Sequence, residues 1–498
     1  MCGIVALWGE RNLPLVREMT QRLAHRGPDG QACHLHPHQP TVLGHTRLAI
    51  IDPEGGDQPL VAPAGDHSLV ANGEIYNYRQ LRNNFAREAF RTQSDSEVIL
   101  HLFDRHRQDP AEAVARLDGM FAFVLQDGDE VLAARDPLGI KPLYLGRRGQ
   151  GLAFASEVKA LVGLAEDIQE FPPGAWFHSQ RGFSRYYTLP QAGPATVGFE
   201  ADVERWTGLL RSQLERSVAK WMISDVPVGA FLSGGLDSSI IAALAKRHTD
   251  ELHTFAVGAV GSSDLLAARR VAHHLQSRHH EYVFDADDVV AALPEVLYYL
   301  ESDDVDLVSS ALPCYFVSRL ACQQVKVALT GEGADELFAG YAYYRQYRDP
   351  TSLGRELSRS LTTMHNINLQ RVDRITMAHG LEGRVPFLDG DLIALAQAMP
   401  ADLKLYRNGA GQAVEKWILR KAVEDLLPAE IVWRDKAQFD EGSGMLEVVA
   451  EALGRFGVDA RDKAAVNALY RKLLAERYRD PAPILATRGV WTSNRVAA

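Results

Sequence analysis

The chain has 498 residues, more than one hydrophobic core ordinarily serves, so two or more domains are expected. Its apolar fraction of 46% with 23% charged residues is that of an ordinary globular protein, and a net charge of −11 without a basic stripe argues against nucleic acid as the main partner. No apolar run is long enough to span a bilayer, the opening residues lack a secretory pattern, and Cys2, Cys33, Cys314 and Cys322 are too few and scattered for a disulfide framework or a thiolate zinc site, so a cytoplasmic protein is expected, with Cys314 and Cys322 packed in a core.

The chain opens Met1-Cys2-Gly3-Ile4-Val5. Removal of Met1 would leave Cys2 with a free α-amine, which titrates at about 7.7–8.0 and can take the thiol proton near neutrality. Taken alone, a cysteine at this position reads equally as an inert small hydrophobe. Short apolar runs at 41–51, 68–71, 120–126 and 130–134, separated by Gly, Pro, Asn and Asp, predict a sheet-rich domain, and helical spacing at 95–107 and 110–117 predicts helices covering it. The Pro-, Gly- and Ala-rich stretch 190–198 marks a linker, giving domains over 2–190 and 200–498 joined by 191–199. Beyond it the pattern is helix (206–222), strand (228–232), Gly-rich turn, helix (238–248) and strand (252–257), the order of a parallel βαβ unit. A further strand (325–329) precedes another Gly-rich turn, and helices dominate the C-terminal part.

Ser233-Gly234-Gly235-Leu236-Asp237-Ser238-Ser239 falls where a strand gives way to a helix. Glycines let the backbone approach an anion, N–H groups converge at the helix N-terminus, and serine hydroxyls add donors, as a phosphate needs. The Lys-Ser/Thr ending of a Walker loop is absent. Gly331-Glu332-Gly333-Ala334-Asp335-Glu336 forms a second acidic turn after a strand. At the ends of neighbouring parallel strands the two turns would face one crevice, where Asp237 and Asp335 could share one Mg²⁺ and Glu332 remain for proton transfer. Each turn by itself reads more readily as a capped helix start; the two together favour a nucleotide–Mg²⁺ site.

With these residues in hand, the chain resembles the glutamine-hydrolysing asparagine synthetase family from Cys2 to about 444. In the first half the resemblance is carried by Cys2-Gly3-Ile4, Arg26-Gly27-Pro28-Asp29, Gly44-His45-Thr46-Arg47-Leu48, Asn72-Gly73-Glu74-Ile75-Tyr76-Asn77, Ser94-Asp95 and Arg135-Asp136-Pro137-Leu138-Gly139. In the second half it is carried by the two Gly-rich turns, Glu382-Gly383-Arg384-Val385-Pro386-Phe387-Leu388-Asp389 and Lys436-Ala437-Gln438-Phe439. The resemblance implies an αββα-sandwich glutaminase of the N-terminal-nucleophile type, followed by an ATP-pyrophosphatase-type α/β domain with a parallel sheet and a helical C-terminal part. It implies that Cys2 attacks the glutamine amide, that Asn72 and Gly73 form the oxyanion hole, and that Arg47, Leu48, Ile51, Asn72, Gly73, Glu74 and Asp95 bind glutamine. Arg47 would clamp the α-carboxylate, and Glu74 and Asp95 the amino group. It further implies ATP contacts from Leu232, Ser233, Gly234, Gly235, Asp237, Ser238, Ser239, Val257, Thr330 and Gly331, with Mg²⁺ on Asp237 and Asp335. Glu332 would act as a base toward the incoming amine, and Lys436 would stabilise charge on the reacting oxygens. Glutamine, ATP and aspartate are then the substrates, neither nucleic acid nor membrane is a partner, and a homodimer is implied.

Arg47 and Asp95 read by themselves as surface charges, and Asn72-Gly73 as a turn; their occurrence together with Cys2 favours the glutaminase. One departure stands out. Many asparagine synthetases read Glu-Thr-x-Asp-Val-Thr-Thr-Ile-Arg-Ala where this chain reads Glu301-Ser302-Asp303-Asp304-Val305-Asp306-Leu307-Val308-Ser309-Ser310, so Ser309 stands where an arginine is expected. A specialised amidotransferase acting on a different carboxylate is therefore the runner-up. A lactam-closing relative needs no ammonia, and Cys2 with Asn72 and Asp95 argues against it. A non-catalytic relative should have lost acidic or nucleophilic residues, yet Cys2, Asp237, Glu332, Asp335 and Lys436 are all present.

Overall fold

The structure is a computed structural model that describes residues 1–62, 67–86, 89–191, 193, 199–435 and 439–489, with the backbone alone at 199–202 and 439. Of the expected linker, 192 and 194–198 lie outside the described residues.

Alternating side chains on the strand Cys2–Trp8 set the architecture of the first half. Ile4 and Ala6 join Val70, Ala122, Val124 and Phe154 in a layer between two sheets, whereas Val5 and Leu7 pack on Leu15, Val16 and Met19 of the helix Leu13–Gln21. That helix starts where the Asn12 side chain accepts from the Leu15 N–H. Both sheets have six strands. One centres on Cys2–Trp8, flanked by Thr41–Arg47 and Gly151–Ala155; the other centres on His67–Ile75, Gly119–Asp127 and Glu130–Arg135. The helices Tyr78–Arg82, Glu97–Arg105 and Pro110–Ala115 bury Leu81, Val98, Ile99, Phe103 and Val114 against the second sheet, completing helix–sheet–sheet–helix layers. The run 41–51 is strand only to Arg47; Leu48 leaves the ladder with its N–H on the Met1 carbonyl.

The second half holds a five-stranded, wholly parallel sheet in the order Arg278–Val283, His253–Gly258, Val228–Phe231, Val327–Leu329, Glu382–Arg384. The first three strands progress to one side, and the chain then returns to place Val327–Leu329 on the other side of Val228–Phe231. That reversal opens a crevice at the carboxyl ends of these two strands, from which both Gly-rich turns emerge. Helices cover the sheet and make up the C-terminal part, among them Val305–Ala321, begun by Asp304 accepting from the Leu307 N–H, and Asn368–Met377 packed against it. Cys314 is buried in this layer as expected, but Cys322 is exposed, because it caps the helix end where the chain turns outward.

The halves meet over a buried charged seam. Arg26 bonds Glu157 at 2.6 Å and, through both terminal nitrogens, Asp373 of the second half at 2.8 and 3.1 Å, while Arg374 pairs with Glu157 and Glu301 at 3.3 and 3.1 Å. Removing one partner from such a set leaves a charge uncompensated away from water, which is strongly destabilising.

Candidate active sites

Cys2 begins a central strand and is registered opposite Arg47, with its N–H on Asn72 Oδ1 at 2.9 Å across the sandwich. Burial is the main influence on the thiol and pushes its pKa up. Asn72 is wholly buried, and among the described residues its Nδ2 has no hydrogen-bond partner. A buried donor without an acceptor costs free energy, and it belongs to the side chain whose Oδ1 accepts the Cys2 N–H. Gly73 has φ +140°, and a Cβ would sit 1.9 Å from the Met120 carbonyl oxygen, so only glycine holds this backbone N–H next to Asn72. Asp95 accepts from the Ile75 N–H at 2.6 Å; burial raises its pKa to about 6.

The remaining residues expected for glutamine are placed less directly. Arg47 is anchored by Asp57 and by the carbonyls of Pro53 and Asp52, at 2.8, 2.9 and 2.5 Å, which fixes its fork at the rim. Leu48 and Ile51 lie in the core alongside Met1. Glu74 is buried and faces Arg384 of the second half at 3.5 Å, and burial, then the Glu382 and Asp95 charges, push its pKa up. Arg384 also bonds Glu382 at 2.5 Å, and the Glu382 carboxylate takes the Met1 ammonium at 2.8 Å. Burial alone would raise Glu382; the ammonium, Arg384 and Lys141 hold it down at about 2. The Glu382–Arg384 string thus fastens the Met1 and Glu74 side of the first domain to the parallel sheet.

The second site is a cavity of about 440 Å³ at the crevice. Ser233, Gly235, Asp237, Ser238, Val257, Thr330 and Gly331 line it; Leu232, Gly234 and Ser239 pack behind. Gly235 opens the helix Leu236–Ala245 without a side-chain cap, leaving its first N–H groups for an anion. The two Gly-rich turns touch: a Cβ on Gly331 would lie 2.8 Å from both Asp237 Cβ and the Ser238 nitrogen. Asp237 and Asp335 thereby share one wall, and Lys416 bridges them, its Nζ 2.5 and 2.6 Å from their carboxylate oxygens. Burial alone would lower the Lys416 pKa, but the two carboxylates overcome it and hold the ammonium above the ordinary lysine value. Asp237 Oδ1 is buried and, among the described residues, has no hydrogen-bond partner. Among the described residues no cluster of three or more His, Cys, Asp or Glu could hold a metal alone. Two carboxylates with a cation already between them fit Mg²⁺, which is commonly held by one or two carboxylates together with water and substrate phosphates.

Glu332 lines the cavity and receives Arg371 Nη2 at 2.6 Å. Glu336, behind it, accepts from the Tyr341 hydroxyl and Asn368 Nδ2, and burial, then Asp335 and Glu332, raise its pKa to about 7. Lys436 lies outside the described residues. Lys416, Arg371 and Asp440, all on the cavity wall, are missed by sequence reasoning. Lys416 sits in Glu415-Lys416-Trp417, which carries no turn or motif signal.

A cysteine-headed sandwich joined to a nucleotide-type crevice defines a glutamine amidotransferase coupled to an ATP-using domain. A glutamine amidotransferase domain model matches residues 1–184, and an asparagine synthase model matches 209–351 and 345–494. The chain is 40% identical over 468 residues to asparagine synthetase [glutamine-hydrolyzing] 3 of Arabidopsis thaliana, covering 89% of this chain and 79% of that one. It is 41% identical over 485 residues to a probable asparagine synthetase [glutamine-hydrolyzing] of Schizosaccharomyces pombe, covering 89% and 85%. Among solved structures, glutamine phosphoribosylpyrophosphate amidotransferase from B. subtilis aligns at 22% identity and TM-score 0.33, over 50% of this chain and 64% of that one. The chain belongs to the glutamine-hydrolysing asparagine synthetase family.

Proposed function

We propose that this protein converts aspartate, glutamine, ATP and water to asparagine, glutamate, AMP and pyrophosphate. The observation that carries the reading is the buried continuity between its two sites. Met1, Leu48, Ile50, Ile51, Tyr76 and Met120 from the glutaminase floor share one apolar cluster with Leu232, Val385 and Leu388 beneath the crevice. A water-excluding core between the sites suits the passage of ammonia, which bulk water would protonate or dilute.

After Met1 removal the Cys2 amine takes the thiol proton, and the thiolate attacks the glutamine amide carbon. Asn72 Nδ2 and the Gly73 N–H stabilise the oxyanion, ammonia leaves, and water releases glutamate from the thioester. Arg47, Glu74 and Asp95 hold the glutamine backbone groups.

In the crevice the Ser233–Ser239 turn receives the ATP phosphates, while Val257 and Thr330 flank the nucleoside. Asp237 and Asp335 would hold Mg²⁺, which when bound neutralises triphosphate charge. Lys416, freed from those carboxylates, offers its ammonium to the phosphates. The aspartate β-carboxylate displaces pyrophosphate from the α-phosphorus, and ammonia attacks the resulting acyl carbon with AMP leaving. Glu332 takes a proton from the attacking amine, and Lys436 stabilises charge on the reacting oxygens. On the resemblance, the enzyme works in the cytoplasm as a homodimer whose domains join near 191–199; among the described residues no helix is long and apolar enough to cross a membrane.

The test follows asparagine, AMP and pyrophosphate by mass spectrometry with processed protein. Equimolar asparagine and AMP are expected. Cys2→Ala should abolish glutamine use and keep synthesis from ammonium, whereas Asp237→Ala should stop both. Glutamate release and ATP binding without asparagine would refute aspartate as acceptor.

A further inference from the structure

Among the described residues, four cationic side chains stand on the crevice wall. Lys416 is held between Asp237 and Asp335, Arg434 by Asp264 at 2.8 Å and Ser263 at 3.1 Å, and Arg420 by the carbonyls of Glu415, Val432 and Arg434. Arg371 differs. Its side chain, on the helix Asn368–Met377, is largely buried with 13% exposed; it gives Nη2 to Glu332, and among the described residues it has no second hydrogen-bond partner. A guanidinium has five N–H donors in a planar fork, so several remain for a ligand.

The neighbouring wall supplies the opposite charge. The helix Val305–Ala321, against which Arg371's helix packs, brings Leu307 and Ser310 to the cavity, and its Ser309 hydroxyl donates to Asp440 Oδ2 at 3.3 Å. Asp440 also lines the cavity; among the described residues Ser309 is the side chain that hydrogen-bonds its carboxylate, and the Arg371 charge acts on it from across the cavity. Asp306 on the same helix is already paired with Lys463 at 2.8 Å. Arg371, with donors to spare, and Asp440, which among the described residues has no ion pair and feels the Arg371 charge across the cavity, therefore face the same space, with Glu332 bonded to Arg371.

We infer that Arg371 and Asp440 are the residues that select the amide acceptor. Arg371 receives the acceptor's second carboxylate, the one not amidated, while its Nη2 keeps Glu332 beside the reacting carbon; Asp440, oriented by Ser309, receives the acceptor's ammonium. The assignment rests on aspartate being the acceptor, and it supplies the carboxylate contact that Ser309 cannot make.

The test uses steady-state kinetics of the full-length enzyme with ammonium as nitrogen donor. Arg371→Met should raise the aspartate KM about 10- to 100-fold, the loss of a charge-assisted contact. The ATP KM should stay within twofold and glutamine hydrolysis at Cys2 should be unchanged, while Arg371→Lys should recover part of the loss. Asp440→Asn should raise the aspartate KM while leaving inhibition by succinate, which lacks the ammonium, unchanged, a selectivity that general loosening of the site would not produce. An aspartate KM within twofold of wild type in Arg371→Met, or a fall in kcat alone, overturns the assignment. So does equal weakening of aspartate and succinate in Asp440→Asn, the variant that decides if Arg371→Met does not fold. Wild-type enzyme that makes no asparagine overturns the acceptor reading and this assignment together; wild-type synthesis with an unmoved aspartate KM overturns this assignment alone.

Discussion

Lys416→Met removes the ammonium between Asp237 and Asp335, whose side chains are only 20% and 19% exposed. Two carboxylates then face each other with no cation, and breaking a buried ion pair in this way costs about 3–5 kcal/mol. Partial exposure puts the expectation at the lower end, ~3 kcal/mol. If a synthetase half of roughly 300 residues unfolds as a unit, its unfolding entropy of about 2.1 cal/mol/K per residue gives ~0.6 kcal/mol/K, so ~3 kcal/mol lowers Tm by about 5 °C. The assay is calorimetry in chelator and then with added Mg²⁺. Wild type should respond weakly to the metal, because its own lysine already neutralises the pair; the variant should melt about 5 °C lower in chelator and recover most of that with Mg²⁺. A variant as stable as wild type in chelator, or one that Mg²⁺ does not stabilise, would refute both the energetic argument and the placing of the cation on these carboxylates.

Asn72→Ala removes the buried donor beside Cys2 and should cut the kcat of glutamine hydrolysis by about 10²–10³, as for loss of one oxyanion donor, with synthesis from ammonium unchanged; equal losses on both routes would mean a structural role. Burial raises Asp95 to about 6, so it takes up a proton as pH falls through that value and no longer accepts from the glutamine amino group. The glutamine KM should then rise about tenfold per pH unit below 6, and Asp95→Asn should flatten that limb in hydrolysis measured without synthesis. In stability the sign is opposite to that of a salt-bridged aspartate: its contribution is full below the unfolded value of about 3.9 and lost as pH rises through about 6. Gly331→Ala forces the two turns apart at Asp237 and Ser238. Overpacking of this kind costs about 1–3 kcal/mol, so ATP-dependent synthesis should fail while glutamine hydrolysis persists; normal ATP affinity in the variant would contradict the contact between turns.

What the sequence determined by itself was local. The two Gly-rich turns were legible as strand-to-helix turns because glycines, serines and carboxylates stand in a few adjacent residues, whereas Cys2 and Asn72-Gly73 gained their proposed roles from the family resemblance of the whole set of motifs. Short apolar runs at 120–126 and 130–134, bounded by turn residues, announced strands, and both faces of these strands are buried. The end of the strand at Arg47 was not legible, because Leu48 is drawn off by the Met1 carbonyl rather than by any breaker. Only the tertiary structure decided that Lys416 lies between Asp237 and Asp335, the former 179 residues away in sequence, that Arg371 holds Glu332, and that Arg26 reaches Asp373 across 347 residues. Such contacts leave no periodicity or spacing to read. Lys416 and Arg371 look like solvated charges until sheet order and helix packing bury them, and desolvation then makes the choice of partner energetically decisive.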